Sequence, residues 1–341
     1  MNNKNKIIIA LLCFTLVLSI LLNLSLGQVS IPLKEILKSI FSGGSNNVTW
    51  DYIILNFRIP KAITAILVGI GLSISGLLMQ TLFRNPLAGP YVLGLSSGSS
   101  LGVALVILGS TFLPQSFDWI LLSSYSIVLA SCLGSLLVLG LILIAIKKLR
   151  DTSMVLIVGL MFSSFSGAII NVLSYFSNAE QLQKYTFWSM GSIGNLTHTQ
   201  LIILTSCVIS GLLLSLFSIK SLDALLLGEN YAKSIGVNIS RSRLLIIIAT
   251  AIFAGSITAF TGPIAFIGLA VPHIAKLLLQ TSNHTILFIS TLLIGSITML
   301  LCDLISQMPG ANFTLPINAV TSIMGAPIVI WLISKRKFYK N

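Results

Sequence analysis

The chain has 341 residues, of which 55% are hydrophobic and only 8% charged, and its mean hydropathy is +1.00. Soluble domains carry about a quarter charged residues, so this chain cannot cover itself with polar surface and reads as an all-α integral membrane protein whose solvent is lipid. Its formal charge of +12, from 20 Lys and Arg against 8 Asp and Glu, falls between apolar runs, which argues for topology signals and against nucleic-acid binding.

A span needs about 20 apolar residues to cross the hydrocarbon at 1.5 Å per residue. MNNKNK opens the chain and an apolar run over 7–26 follows; the run is too long for a signal peptide and lacks a small-x-small cleavage site, so it reads as a retained first span. The longest segment outside the membrane is 27–61, with an amphipathic helix expected at Pro32–Leu37 and a loop at Gly43–Asn47. Spans follow at 62–82, 91–113, 119–146, 153–175 and 196–217, then a polar patch over about 220–243. The apolar run 244–279 is too long for one span, and Thr261-Gly262-Pro263 divides it in two. Spans at 285–305 and 315–334 bring the expected total to ten, in a single domain over 1–341.

Charge placement supports an even number of spans. With the N-terminus inside, the outer loops hold only Lys34, Lys38, Arg58, Lys61 and Lys184, and the remaining basic residues fall on the inner side. Both termini are therefore expected to be cytoplasmic, which places the 220–243 patch in the cytoplasm as well.

The chemistry-bearing residues are sparse. Cys13, Cys132, Cys207 and Cys302 lie inside apolar runs, and His198, His273 and His284 have no metal-ligand spacing. There is no G-x-x-x-x-G-K-[ST] phosphate loop and no nucleophile–base arrangement. No catalytic, cofactor-binding or metal-ligating residue is assigned. Within the spans the ionisable exceptions are Asp303 and His273. Ion-coupled carriers usually bind their driving ion with such groups, so their scarcity argues that energy arrives from another subunit. An ion-coupled secondary transporter with sodium sites built from carbonyls and hydroxyls stays open as the alternative. In the second span, Gly69, Gly71, Ser73, Ser75 and Gly76 permit close helix approach. In the fifth, Ser163, Gly167, Asn171 and Ser174 recur at helical spacing. That stripe is read either as packing or as the lining of a pathway.

RIPK at 58–61, SGLLMQ at 75–80, RNPLAGPYVLG at 84–94, FWSMGS at 187–192, LLGENYAKSIGV at 226–237, GPIAFIGLAVPHIAK at 262–276 and LPINAVTSIMGAPIVIW at 315–331 occur in order along nearly the whole chain. Together they resemble the FecCD-type permeases of ABC importers for iron–siderophore complexes, haem and cobalamin. The resemblance implies ten helices with inverted repeats, a second copy of the chain forming a homodimer, and two cytoplasmic ABC ATPase subunits that use the ATP. It also implies an extracytoplasmic substrate-binding protein and a place in the cytoplasmic membrane of a bacterium or archaeon. By the same resemblance Leu227, Gly228, Glu229, Ala232, Ile235, Gly236 and Val237 form the contact with the ATPase. Leu226, Leu227, Ala232 and Ile235 are expected to offer an apolar face, and Gly236 to end a short helix. Arg58, Lys61 and Gln307 match the docking positions for the binding protein. Lys61 stands where Arg is commoner, and Gln307 where a basic residue is usual.

Overall fold

The computed structural model describes residues 3–41, 47–112, 114, 122–148, 152–308 and 313–338. The expected loop at 43–47 and the start of the expected span 119–146 therefore lie largely outside the described residues.

Every element among the described residues is helical: α1 Asn3–Ser25, α2 Leu33–Phe41, α3 Val48–Ile53, α4 Ile59–Leu82, α5 Leu95–Ile107, α6 Ser124–Lys148, α7 Thr152–Phe176, α8 Ala179–Ser189, α9 His198–Leu226, α10 Glu229–Ser234, α11 Ile239–Thr261, α12 Ile267–Leu279, α13 His284–Ser306 and α14 Ile317–Phe338. Eight helical stretches among the described residues are long and apolar enough to cross a bilayer, and Ile267–Leu279 and Ile317–Trp331 are shorter apolar helices. The division of 244–279 falls where the turn residues put it: α11 stops at Thr261 and Gly262 takes φ +72°.

The second span differs from its sequence expectation. Helix begins at Val48, well before residue 62, and runs through the RIPK segment as one apolar stretch, Val48–Leu82. Pro60 sits inside it. A proline lacks an N–H and its ring collides with the carbonyl four residues back; here Ile54–Arg58 opens into a π turn, in which the Ile59 N–H reaches back to the Ile54 carbonyl. The extra residue gives the proline room without ending the helix.

The chain forms two compact units. The first contains 1–74, 192–205 and 265–341. Here α1 packs on α13, and α12, α13 and α14 pack on one another. Gly69 of α4 lies against Gly295 of α13 so closely that a Cβ on Gly69 would stand 2.3 Å from the Gly295 carbonyl oxygen. Close approach of this kind replaces the hydrophobic drive that lipid cannot provide. In the non-helical backbone before α12 the Ala265 N–H donates to Asn318 Oδ1 at 3.1 Å, so this amide is satisfied within the protein.

The second unit contains 75–191 and 206–264. Its centre is α5 against α6, where a Cβ on Gly134 would come within 2.0 Å of the Gly98 carbonyl oxygen. Helix α7 covers α5, and α11 packs on α6. Buried Phe253 of α11 sets its ring against Gly211 of α9. Two of the quoted sequence stretches meet at each of two seams. Tyr91, from RNPLAGPYVLG, donates its hydroxyl proton to the Ile264 carbonyl and accepts from the Ile264 N–H at 3.1 Å. Gly262 fits against the Trp188 carbonyl and Gly191 of FWSMGS, where a Cβ would be 2.5 Å from the former.

Candidate functional site

In the second unit the 220–243 patch resolves into three pieces. Helix α9 continues to Leu226, the six-residue α10 follows, and α11 starts at Ile239. The turn of RNPLAGP supports the end of α9. Asn85 Oδ1 accepts from the Leu87 N–H at 2.9 Å, and Arg84 donates to the Leu225 carbonyl at 2.8 Å, placing a cation at the negative end of the α9 dipole. Gly228 takes φ +121° and opens α10.

Gly236 ends α10, as expected from sequence. Its φ of +85° is left-handed, its N–H donates to the Lys233 carbonyl at 3.0 Å, and the Val237 N–H donates to the Ala232 carbonyl at 2.9 Å. This pair of bonds is the Schellman arrangement, with Val237 over Ala232. Asn238 then caps α11 by accepting from the Arg241 N–H at 3.0 Å.

The exposed apolar face differs in composition from the expected one. Ala232 is fully buried, so it anchors α10 inward. The residues turned out are Leu226, Leu227, Tyr231 and Ile235, at 42%, 67%, 48% and 54% exposure, with Tyr231 and Ile235 one helical turn apart. Tyr231 was not picked out by sequence reasoning, because a six-residue helix carries too little periodicity to mark its outer side. Glu229 is engaged internally: Arg243 donates to it at 3.0 Å. Arg243 is buried at 8% exposure, so this pair ties α10 to the first turns of α11.

In the first unit Arg58, Lys61 and Gln307 line one cavity of about 330 Å³, together with Asn23, Gln28 and Thr314. They do not act alike. Arg58 is buried, and its guanidinium donates to the Leu24 and Val29 carbonyls, which pins the segment after α1. The ammonium of Lys61 stands 2.9 Å from Asp303 Oδ1. The other carboxylate oxygen accepts from Asn23 Nδ2 at 2.9 Å and from Gln307 Nε2 at 2.7 Å. Asp303 is 1% exposed, and a buried polar group is costly unless it is hydrogen-bonded or paired. Gln307 thus serves the buried acid where a basic residue was the expected pattern. Asn23 escaped sequence reasoning; the signal for it was an amide inside an otherwise apolar first span.

The stripe on α7 is packed by the described residues only at its start, where Ser163 lies near Gly94. No atom lies within 4 Å of a Cβ built on Gly167. Asn171 is exposed, and Ser163 and Ser174 are half-buried. The Ser163 hydroxyl is satisfied within its own helix, by the Gly159 carbonyl at 3.0 Å.

Comparison with known proteins gives a consistent result. The pattern of the FecCD transport family matches residues 15–335. An ABC transporter permease protein of Methanocaldococcus jannaschii is 35% identical, over 98% of this chain and 97% of that protein. The hemin transport system permease HmuU of Yersinia pestis is 32% identical over 96% of each chain. The vitamin B12 import permease BtuC of Vibrio cholerae is 32% identical over 86% of this chain and 85% of its own. Among solved structures, a metal-chelate-type ABC transporter in an inward-facing conformation superposes with a TM-score of 0.82 at 29% identity, covering 96% of this chain and 99% of that one.

Proposed function

This chain belongs to the FecCD transport family, and from that premise we propose that it is the membrane permease of an ATP-driven importer for a metal chelate: a ferric siderophore, haem or cobalamin. The observation that carries this reading is full-length similarity to permeases named for hemin and vitamin B12. The permease has no catalytic role; hydrolysis belongs to a partner ATPase.

The finer reading has ten spans, counting α12 and α14 with the eight longer stretches, arranged as inverted repeats in one permease domain with both termini cytoplasmic. Two copies assemble around a shared pathway in the cytoplasmic membrane of a bacterium or archaeon, with the partly exposed stripe Ser163, Gly167, Asn171 and Ser174 facing it. Each copy seats one ATPase on Leu227, Tyr231 and Ile235, whose exposure supports the assignment. ATPase closure then reaches α11 through α10 and the Glu229–Arg243 pair as a rigid-body push. On the other side, the cavity at Lys61 and Gln307 receives an acidic side chain of the substrate-binding protein, and Arg58 holds its wall.

Reconstitution with the ATPase and binding protein tests the reading. Uptake of one of these chelates is expected to need ATP hydrolysis and to persist with no ion gradient. Uptake that collapses with the gradient and ignores loss of the ATPase would instead mark a secondary carrier.

A further inference from the structure

A second cavity, of about 480 Å³, lies between the last turns of α9 and the first turns of α11. Phe217, Ser221, Asn238, Arg241, Ser242 and Leu245 line it, together with Val237. Its lining has two halves. Phe217 is 77% exposed and continues the apolar surface of α9, whose Leu213 and Leu216 also face outward. Beside it are polar groups without partners, Ser221 one turn along α9 and Arg241 and Ser242 on α11. Ser242 is 6% exposed, and neither its hydroxyl, nor that of Ser221, nor the Arg241 guanidinium makes a hydrogen bond or ion pair among the described residues. The neighbouring cation Arg243 is already engaged by Glu229 at 3.0 Å. Arg241 is therefore a free positive charge, set at the N-terminal end of a 23-residue helix whose dipole adds to its field.

A cation and two open hydroxyls at the positive end of the α11 dipole suit a tetrahedral oxyanion. An apolar wall at the end of two spans suits an acyl chain continuing from it. We infer that this cavity binds the phosphate of an anionic phospholipid, with Arg241, Ser221 and Ser242 on the phosphate oxygens and the glycerol–acyl portion along Phe217 and Leu245. The chemistry shared with free phosphate is the anionic tetrahedral phosphate, which fills the polar half alone. The inference rests on the cavity and on the chain's membrane residence, and stands apart from the identity of the transported chelate.

The full-length chain in detergent provides the test, titrated with phosphatidylglycerol, phosphatidylcholine or inorganic phosphate and read by native mass spectrometry and thermal unfolding. Phosphatidylglycerol is expected to bind and raise the unfolding temperature. Arg241→Gln should weaken it about fivefold, the worth of one basic residue at a lipid surface, and Arg241→Lys should keep most of the binding. Arg241 is exposed, so neither variant threatens folding. Ser242→Ala should weaken binding without altering the salt dependence. An Arg241-dependent rise with inorganic phosphate, and none with lipid, supports the phosphate site and identifies free phosphate as the ligand. Phosphatidylglycerol binding that is indifferent to Arg241→Gln overturns the proposal. So does a result in which that variant leaves lipid binding intact and weakens only assembly with the ATPase, because the cavity is then a protein interface.

Discussion

Single residues here act chiefly through what they leave unpaired or crowd. Asp303 is the clearest case. Removing it by Asp303→Ala strips one ion-pair partner from Lys61 and the acceptor from Asn23 and Gln307. An orphaned donor costs about 1–3 kcal/mol where water cannot replace the lost partner, although Asn23 keeps the Leu300 carbonyl at 3.3 Å and Lys61, 23% exposed, recovers part of its loss to solvent. Thermal unfolding should therefore drop clearly in Asp303→Ala and recover in part when Lys61→Met is added; an unchanged midpoint in the single variant would refute the network. Steric crowding acts at Gly134, where an added Cβ would lie 2.0 Å from a backbone oxygen of α5. Overpacking against backbone costs about 1–3 kcal/mol or more, so Gly134→Ala should lower the unfolding temperature, whereas Gly167→Ala, with open space around it, should leave it unchanged.

At the scale of the element, α10 is too short to be stable alone. It depends on Gly236 at its end, Ala232 beneath it and the Glu229–Arg243 pair beside it. Glu229 is partly exposed, which limits the pair to about 1 kcal/mol, yet Arg243 is buried and suffers when left alone. A double-mutant cycle of Glu229→Gln and Arg243→Gln should show positive coupling in ATP-driven uptake, with Arg243→Gln alone retaining the larger share of activity. Additivity of the two changes would mean the pair transmits nothing. Tyr231→Ala with Ile235→Ala is expected to weaken ATPase association while shifting stability by less than about 0.5 kcal/mol. Normal association would place the ATPase contact elsewhere. Much of α10 was legible in sequence, because a helix stop at glycine is a local property. Which side faced outward was not legible: six residues carry too little periodicity to separate buried Ala232 from exposed Tyr231.

For the molecule as a whole, the spans were readable because lipid leaves few options: apolar length and a Thr-Gly-Pro break suffice to divide 244–279. What sequence could not supply were the pairings across long separations. The meeting of Tyr91 with Ile264, of Trp188 with Gly262 and of Asn318 with Ala265 explains why those stretches look as they do, but no local signal links them. The same blindness hid Asn23 beside Asp303, 280 positions apart. The proposed orientation is testable over the whole chain. In a variant with the four native cysteines replaced, Lys233→Cys should react with a membrane-impermeant maleimide only from the cytoplasmic side and Lys38→Cys only from the opposite side. Labelling of both from one side would reject the ten-span arrangement.

A π turn holds one residue more than the α turn it replaces, so the stretch Ile54–Arg58 makes this end of the span sensitive to a count. Loss of one codon there would close the turn to α geometry and leave Val48–Ile53 on much the same faces, because the extra residue is already absorbed within one turn. The Pro60 ring would then meet the carbonyl it now avoids. A deletion at this point would act as a clash, not a rotation.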